Sequence, residues 1–123
     1  HCASCHSNQN ADSLLSLGIE PELSGGHEFK LPIGSIYAKN ITSDKETGIG
    51  NLSDAQIARA LYYGVGNDGR ALFDFMPFHN VSETDMQAII SYIRTQKPVR
   101  NKVPDHNFNA LGMVIKAFML KPT

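Results

Sequence analysis

Cys2-Ala3-Ser4-Cys5-His6, near the start of the chain, places two thiols three residues apart and a histidine directly after the second. This is the C-x-x-C-H signature of covalent haem attachment. Cysteines about one helical turn apart can form thioether bonds with the two vinyl groups of a porphyrin, and the next imidazole can bind the iron as proximal ligand. We therefore predict one covalent haem c, attached at Cys2 and Cys5, with His6 as a ligand of the haem iron.

The same pair of cysteines is compatible with two haem-free sites. A redox-active disulfide of this spacing usually follows a strand in a βαβ unit, and no such unit is visible in the sequence. A zinc site would need further ligands, and His27, His79 and His106 lack the paired spacing of zinc-binding histidines. A haem-free zinc or disulfide domain remains the alternative to a haem domain.

The composition limits the partners and the compartment. The chain has 123 residues, and its 11 Lys and Arg nearly balance its 12 Asp and Glu, which argues against a nucleic-acid partner. Haem attachment to C-x-x-C-H takes place outside the cytoplasm, so we expect a periplasmic protein. The sequence shows no signal peptide and no apolar run near 20 residues, so we expect no transmembrane segment in this chain.

Two helices are predicted from their capping residues. Ser53 is followed three residues later by Gln56, which is the pattern of a capping box, and Gly64 is placed to end that helix. Ser82 begins a second helix, predicted over about 83–96. Apolar residues recur in both segments at spacings of three and four, which is typical of helices with one buried face.

The rest of the chain is less regular. Glycines and prolines interrupt residues 7–35 and predict a loop with a short helical turn near Ser13–Leu17, whereas 36–51 begin as a short extended piece and end in a turn. Residues 100–123 predict a linker and a short helix over about 109–120. We therefore expect a single monohaem domain over 1–123, all-α in class, with short helices and irregular loops around the haem.

Met76 is the predicted sixth ligand of the iron. It lies outside any helical stripe and precedes Pro77, whose ring holds the preceding residue in an extended conformation. A thioether ligand favours ferrous iron and raises the reduction potential. His79 is close enough in sequence to replace Met76 and is the competing ligand.

Three polar residues between the haem motif and the first long helix have two possible roles. Tyr37, Asn40 and Thr42 are candidates to hydrogen-bond haem propionates. They are equally suited to satisfying the backbone of an irregular loop. Both alternatives stay open from the sequence alone.

Beyond the haem motif, a series of short motifs resembles the haem domains of cytochrome subunits of bacterial membrane-bound alcohol and sugar dehydrogenases. In chain order these motifs are Asn40-Ile41-Thr42, Asp44, Thr47-Gly48-Ile49-Gly50, Ser53, Asp68-Gly69-Arg70, Met76-Pro77-Phe78 and Tyr92 with Pro98-Val99. Together with C-x-x-C-H they make the chain similar to a class I c-type cytochrome over about residues 2–99.

The resemblance implies a cytochrome c fold, thioether links at Cys2 and Cys5, axial His6 and Met76, and one-electron transfer. It also implies an electron carrier rather than an enzyme, with a dehydrogenase, a quinol-oxidising complex or an oxidase as redox partner. The alternative within haem proteins is a haem enzyme or gas sensor with a labile sixth ligand, which carbon monoxide binding would reveal.

The chain departs from the family pattern at its beginning. Class I cytochromes have a helix before the haem motif, whereas here only His1 precedes it, so we expect that helix to be missing from this chain. The apolar stripe of the 83–96 helix would ordinarily pack against it. We therefore expect the 109–120 helix, or a second copy of the chain in a dimer, to cover this stripe.

Overall fold

The computed structural model describes residues 2–7, 9–72, 76 and 78–118. The elements in chain order are α1 (Cys2–His6), α2 (Ala11–Ser16), β1 (Glu28–Leu31), β2 (Gly34–Tyr37), α3 (Asp54–Tyr63), α4 (Glu83–Arg94), β3 (Asn107–Phe108) and α5 (Ala110–Phe118). Pro77 and the end of the predicted 109–120 helix lie outside the described residues. Within those residues, no helix has both the length and the apolar character needed to cross a membrane.

The caps predicted for the two longest helices are confirmed. The Ser53 hydroxyl accepts a hydrogen bond from the Gln56 amide, and the Gln56 side chain accepts one from the Ser53 amide, so α3 begins with a complete capping box. Gly64 ends α3 in the left-handed conformation, with φ of 64°. The Ser82 hydroxyl accepts from the Asp85 amide at the start of α4.

The core lies between α3 and α4. Ile57 and Leu61 of α3 pack against Met86 and Ile90 of α4, and all four side chains are buried. Full burial of such side chains contributes about 1.5–3 kcal/mol each, so this contact holds the two helices together. The half-buried residues that pack around this core cluster are Ile49, Leu52, Ala58, Tyr62, Met76, Phe78, Val81 and Ile89.

The apolar stripe of α4 is largely buried, as expected. Met86, Ile90 and Ile93 are buried and Ile89 is half-buried. Within the described residues, however, the core cluster is formed by α3, α4 and the segments before them. The described part of α5 packs elsewhere, where Gly112 lies against the backbone of Ile33 in the β1–β2 turn.

The all-α prediction is not confirmed, because the chain contains a small antiparallel sheet in the order β1-β2-β3. Leu31 pairs with Gly34 across a two-residue turn, and Ser35 of β2 pairs with Asn107 of β3. A side chain at Gly34 would collide with the Asn107 carbonyl oxygen, so glycine permits the third strand to join. The predicted loop at 7–35 contains α2, where a helical turn was predicted near Ser13–Leu17, together with β1 and the start of β2, and the predicted linker contains β3.

Candidate haem-binding site

The two cysteines of the haem motif lie on one helix. Cys2 and Cys5 are three residues apart in α1, so their side chains share a helical face. Both are free thiols; Cys2 is half-buried and Cys5 is exposed. Two accessible thiols on one face are what attachment to the two vinyl groups of a haem requires.

His6 ends α1 and is oriented by a backbone carbonyl. Its Nδ1 lies 2.7 Å from the carbonyl oxygen of Lys39. Because a carbonyl oxygen can only accept, Nδ1 carries the hydrogen, and in the neutral ring Nε2 carries the lone pair. Histidines that bind metals commonly donate their other ring N–H in this way, which fixes the orientation of the ring.

Gly25 brings the backbone segments around His6 together. The Gly25 amide donates a hydrogen bond to the His6 carbonyl oxygen at 2.7 Å. Gly25 has a φ of 74°, and a β-carbon there would lie 2.5 Å from the carbonyl carbon of Lys39. Glycine therefore allows the chain to pass between α1 and the carbonyl that holds the imidazole.

Burial favours the neutral form of the His6 ring. Desolvation lowers the pKa of His6 below its ordinary value, and the hydrogen bond to Lys39 acts in the opposite direction with a smaller effect. A neutral imidazole with a lone pair on Nε2 is the protonation state that binds iron. The chemistry of His6 thus matches the role predicted for it.

The two candidates for the sixth ligand lie near α3. Met76 is half-buried and packs against the core cluster. His79 is also half-buried, and its Nδ1 lies 2.6 Å from the carbonyl oxygen of Tyr62 near the end of α3. The assignment of Met76 rather than His79 as the ligand stays a prediction.

Asn40 and Thr42 bind protein groups. The Asn40 amide nitrogen donates to the carbonyls of Val99 and Asn101 at 2.8 and 3.2 Å, and to the Thr47 hydroxyl at 3.2 Å. The Asn40 side-chain oxygen accepts from both the amide and the hydroxyl of Thr42. Of the two roles open from the sequence, these contacts are those of loop residues that satisfy backbone groups.

Sequence reasoning missed the two backbone carbonyls that orient the histidines. The acceptors belong to Lys39 and Tyr62, whose side-chain types carry no information about this role. The pair Gly25-Gly26 was the one feature of the sequence that could have indicated a close approach of two backbone segments.

The residues present fit a covalent haem better than the alternative metal site. Two free thiols, an imidazole whose neutral form is favoured and a half-buried thioether are the types of group that hold a c-type haem. In the part of the chain that the structure describes, no group of three or more His, Cys, Asp or Glu side chains is arranged to hold a metal ion. A zinc site with tetrahedral ligands would need such a group.

Comparison with known proteins finds relatives among dehydrogenase subunits. The chain is 38% identical over 106 residues to a nicotinate dehydrogenase subunit of Pseudomonas putida, covering 84% of this chain and 8% of that protein. It is 35% identical over 102 residues to the fructose dehydrogenase cytochrome subunit of Gluconobacter japonicus, covering 80% of this chain and 19% of that subunit. It is 36% identical over 110 residues to the cytochrome c subunit of the alcohol dehydrogenase (quinone) of Gluconacetobacter polyoxogenes, covering 85% of this chain and 22% of that subunit. No family model matches the chain.

The matches cover most of this chain and a small part of each relative. The chain spans 8% to 22% of the length of these three curated relatives. Two of the three are named as cytochrome subunits, and the third is a dehydrogenase subunit. Over most of its length the chain is thus similar to cytochrome c subunits of dehydrogenases, which confirms the resemblance to a class I c-type cytochrome.

Proposed function

We propose that this domain is an electron carrier that holds one covalent haem c and relays single electrons in a periplasmic dehydrogenase or respiratory chain. The observation that carries the proposal is the arrangement around α1. Two free thiols share α1 with His6, whose Nδ1 is hydrogen-bonded to the Lys39 carbonyl. The residue types, the spacing of the two cysteines and the orientation of the His6 ring match what haem c attachment and iron binding need.

Each residue of this group has a defined task. Cys2 and Cys5 would hold the haem through thioether bonds, each formed by addition of the S–H group across one vinyl double bond. His6 offers Nε2 as the proximal ligand, while its bond to the Lys39 carbonyl prevents rotation of the ring. When bound, the haem supplies a reversible one-electron couple between ferric and ferrous iron.

Met76 is proposed as the sixth ligand, and this choice separates a carrier from an enzyme. A thioether held by the protein closes the position that a substrate or gas would otherwise bind. Because sulfur is a soft ligand, it stabilises the ferrous state and raises the reduction potential. The contacts of Met76 with the core cluster of α3 and α4 support a fixed position for its side chain.

The proposed partners follow from the names of the relatives. Cytochrome subunits of alcohol and fructose dehydrogenases share this stretch of sequence, so we propose a dehydrogenase as electron donor. The acceptor is proposed to be a quinone-linked complex or an oxidase. A periplasmic location is proposed because haem is attached to C-x-x-C-H outside the cytoplasm.

Replacement of Met76 tests this function. We expect Met76→Ala to lose the weak charge-transfer absorption of ferric iron bound to sulfur and to lower the reduction potential. Met113→Ala is the matched control, because Met113 lies on α5 with 56% of its surface exposed and is not in the core cluster. If both variants keep the wild-type spectrum and potential, Met76 is not the sixth ligand.

A further inference from the structure

Tyr62 holds the segment that carries Met76 at two points. Its carbonyl oxygen accepts a hydrogen bond from Nδ1 of His79 at 2.6 Å. Its hydroxyl donates to the carbonyl oxygen of Ser82 at 3.3 Å. One residue near the end of α3 therefore fixes residues 79 and 82, which enclose the turn before α4.

The Tyr62 carbonyl is available because of its place in the helix. The last four carbonyls of a helix have no amide partner within it, and Tyr62 is the second residue from the end of α3. The C-cap amide of Gly64 bonds to Ala60 rather than to Tyr62. The imidazole of His79 thus satisfies a carbonyl that the helix itself leaves open.

Apolar contacts and hydrogen bonds constrain this segment in different ways. Met76, Phe78 and Val81 pack against the core cluster, and these contacts hold the segment close to α3 and α4. Apolar contacts are not directional, so they do not fix the position of the segment along α3. The hydrogen bonds of Tyr62 are directional and set the position of the segment along α3. They also keep the His79 ring turned towards α3.

We propose that His79 is a positioning residue that holds Met76 in place as the sixth ligand. This rests on the proposed function, because it presupposes a haem iron bound by Met76. His79 is three residues from Met76 and bears a competing ligand. The hydrogen bond from His79 to the Tyr62 carbonyl stabilises the segment that carries Met76, and it also holds the His79 imidazole against α3. On this account, removing the His79 side chain weakens Met76 ligation although His79 does not touch the iron.

Competition with free imidazole measures this effect. Imidazole added to the ferric protein replaces Met76 and abolishes the charge-transfer absorption, so its apparent affinity reports how easily Met76 leaves. A typical hydrogen bond contributes enough to change such an equilibrium about fivefold. We expect His79→Ala to bind imidazole about fivefold more tightly than the wild type and to have a lower reduction potential.

Two further variants separate positioning from general stability. Asparagine carries an N–H donor close to the position of Nδ1, so His79→Asn should restore the wild-type imidazole affinity. Tyr62→Phe removes only the hydroxyl bond to Ser82 and should shift the affinity in the same direction as His79→Ala. Tyr63→Phe is the matched control, because Tyr63 is the exposed neighbour on the same helix and should have no effect.

The outcomes distinguish failure of this inference from failure of the proposed function. Equal imidazole affinities for wild type, His79→Ala and Tyr62→Phe would overturn the positioning role. The same imidazole affinity in His79→Asn as in His79→Ala, tighter than in the wild type, would overturn it as well. If His79→Ala removes the low-spin spectrum while Met76→Ala leaves it intact, His79 is itself the ligand. A wild-type protein without a haem spectrum would instead refute the proposed function. If His79→Ala does not fold, the Asn and Phe variants still decide the result.

Discussion

Replacing Asn40 with alanine should cost this domain a large part of its stability. Asn40 is 3% exposed, and its side chain makes five hydrogen bonds. These bonds link the loop that contains Thr42 and Thr47 to the backbone of Val99 and Asn101. The link spans about sixty residues of chain, so it fastens the segment after α4 to the loop before α3.

The magnitude follows from the groups that the substitution leaves without a partner. The Thr42 amide loses its acceptor in a residue that is 0% exposed, and the Asn101 carbonyl loses a donor. The Val99 carbonyl keeps the Thr42 hydroxyl as a donor at 3.2 Å. A buried polar group left unsatisfied costs about 1–3 kcal/mol, so we expect Asn40→Ala to lower the free energy of unfolding by about 3 kcal/mol.

Chemical denaturation of the ferric protein, followed by far-UV circular dichroism, measures this change. Asn51→Ala is the matched control, because Asn51 is exposed and its side chain makes a bond to the Lys45 carbonyl at the surface. We expect the control to change the free energy of unfolding by less than about 0.5 kcal/mol. The reduction potential should stay at the wild-type value in both variants. A small stability loss for Asn40→Ala, accompanied by a shifted potential, would refute the reasoning and favour a contact with a haem propionate.

Three further predictions concern the attachment site, the loop before α3 and the contact of α5 with the β1–β2 turn. Replacing both Cys2 and Cys5 with alanine should make the haem extractable by acid–acetone, and colour retained by the polypeptide would contradict the attachment site. Hydrogen bonds from Thr47 lower the pKa of Asp44, so its contribution to stability is complete above the unfolded pKa of about 3.9 and is lost as pH falls through the folded pKa. In Asp44→Asn the denaturant midpoint of unfolding should therefore fall less steeply below about pH 4 than in the wild type. Parallel plots of midpoint against pH for the two proteins would refute this role of Asp44. A β-carbon at Gly112 would collide with the Ile33 carbonyl, so Gly112→Ala should destabilise the protein by about 1–3 kcal/mol in denaturant, although alanine favours helix; an unchanged midpoint would contradict this contact.

The parts of the fold that could be predicted are those decided by neighbouring residues. The side chains of Ser53 and Gln56 accept hydrogen bonds from each other's backbone amides, so four consecutive residues suffice to predict where α3 begins. Gly64 ends that helix because glycine reaches the left-handed conformation without steric cost. The stripe of α4 was visible for the same reason, since its spacing follows the helical period.

The sheet could not be predicted because its pairing depends on distant residues. Strands of two and four residues are too short to show alternation, and β3 joins β2 from about seventy residues away. The turn between β1 and β2 also contains Pro32, two residues before Gly34, and a proline and a glycine this close together are typical of loops as well as of tight turns between strands.

Residue types and spacing supply predictions for side chains but none for backbone groups. The roles of the two cysteines, His6 and Met76 were predicted from residue type and spacing. The carbonyl oxygens of Lys39 and Tyr62, which orient His6 and His79, have no signature in the sequence. Only the folded chain brings these acceptors to the two imidazoles.

The absorption spectrum of the purified, reduced protein tests the central claim most directly. A haem attached at α1 and bound by His6 and Met76 predicts the sharp bands of six-coordinate, low-spin ferrous haem c, and these bands should be unchanged when carbon monoxide is added. Bands that change with carbon monoxide would indicate an open sixth position and a haem enzyme or gas sensor. A protein purified with its natural haem-attachment machinery present that shows no Soret band would contradict the account altogether.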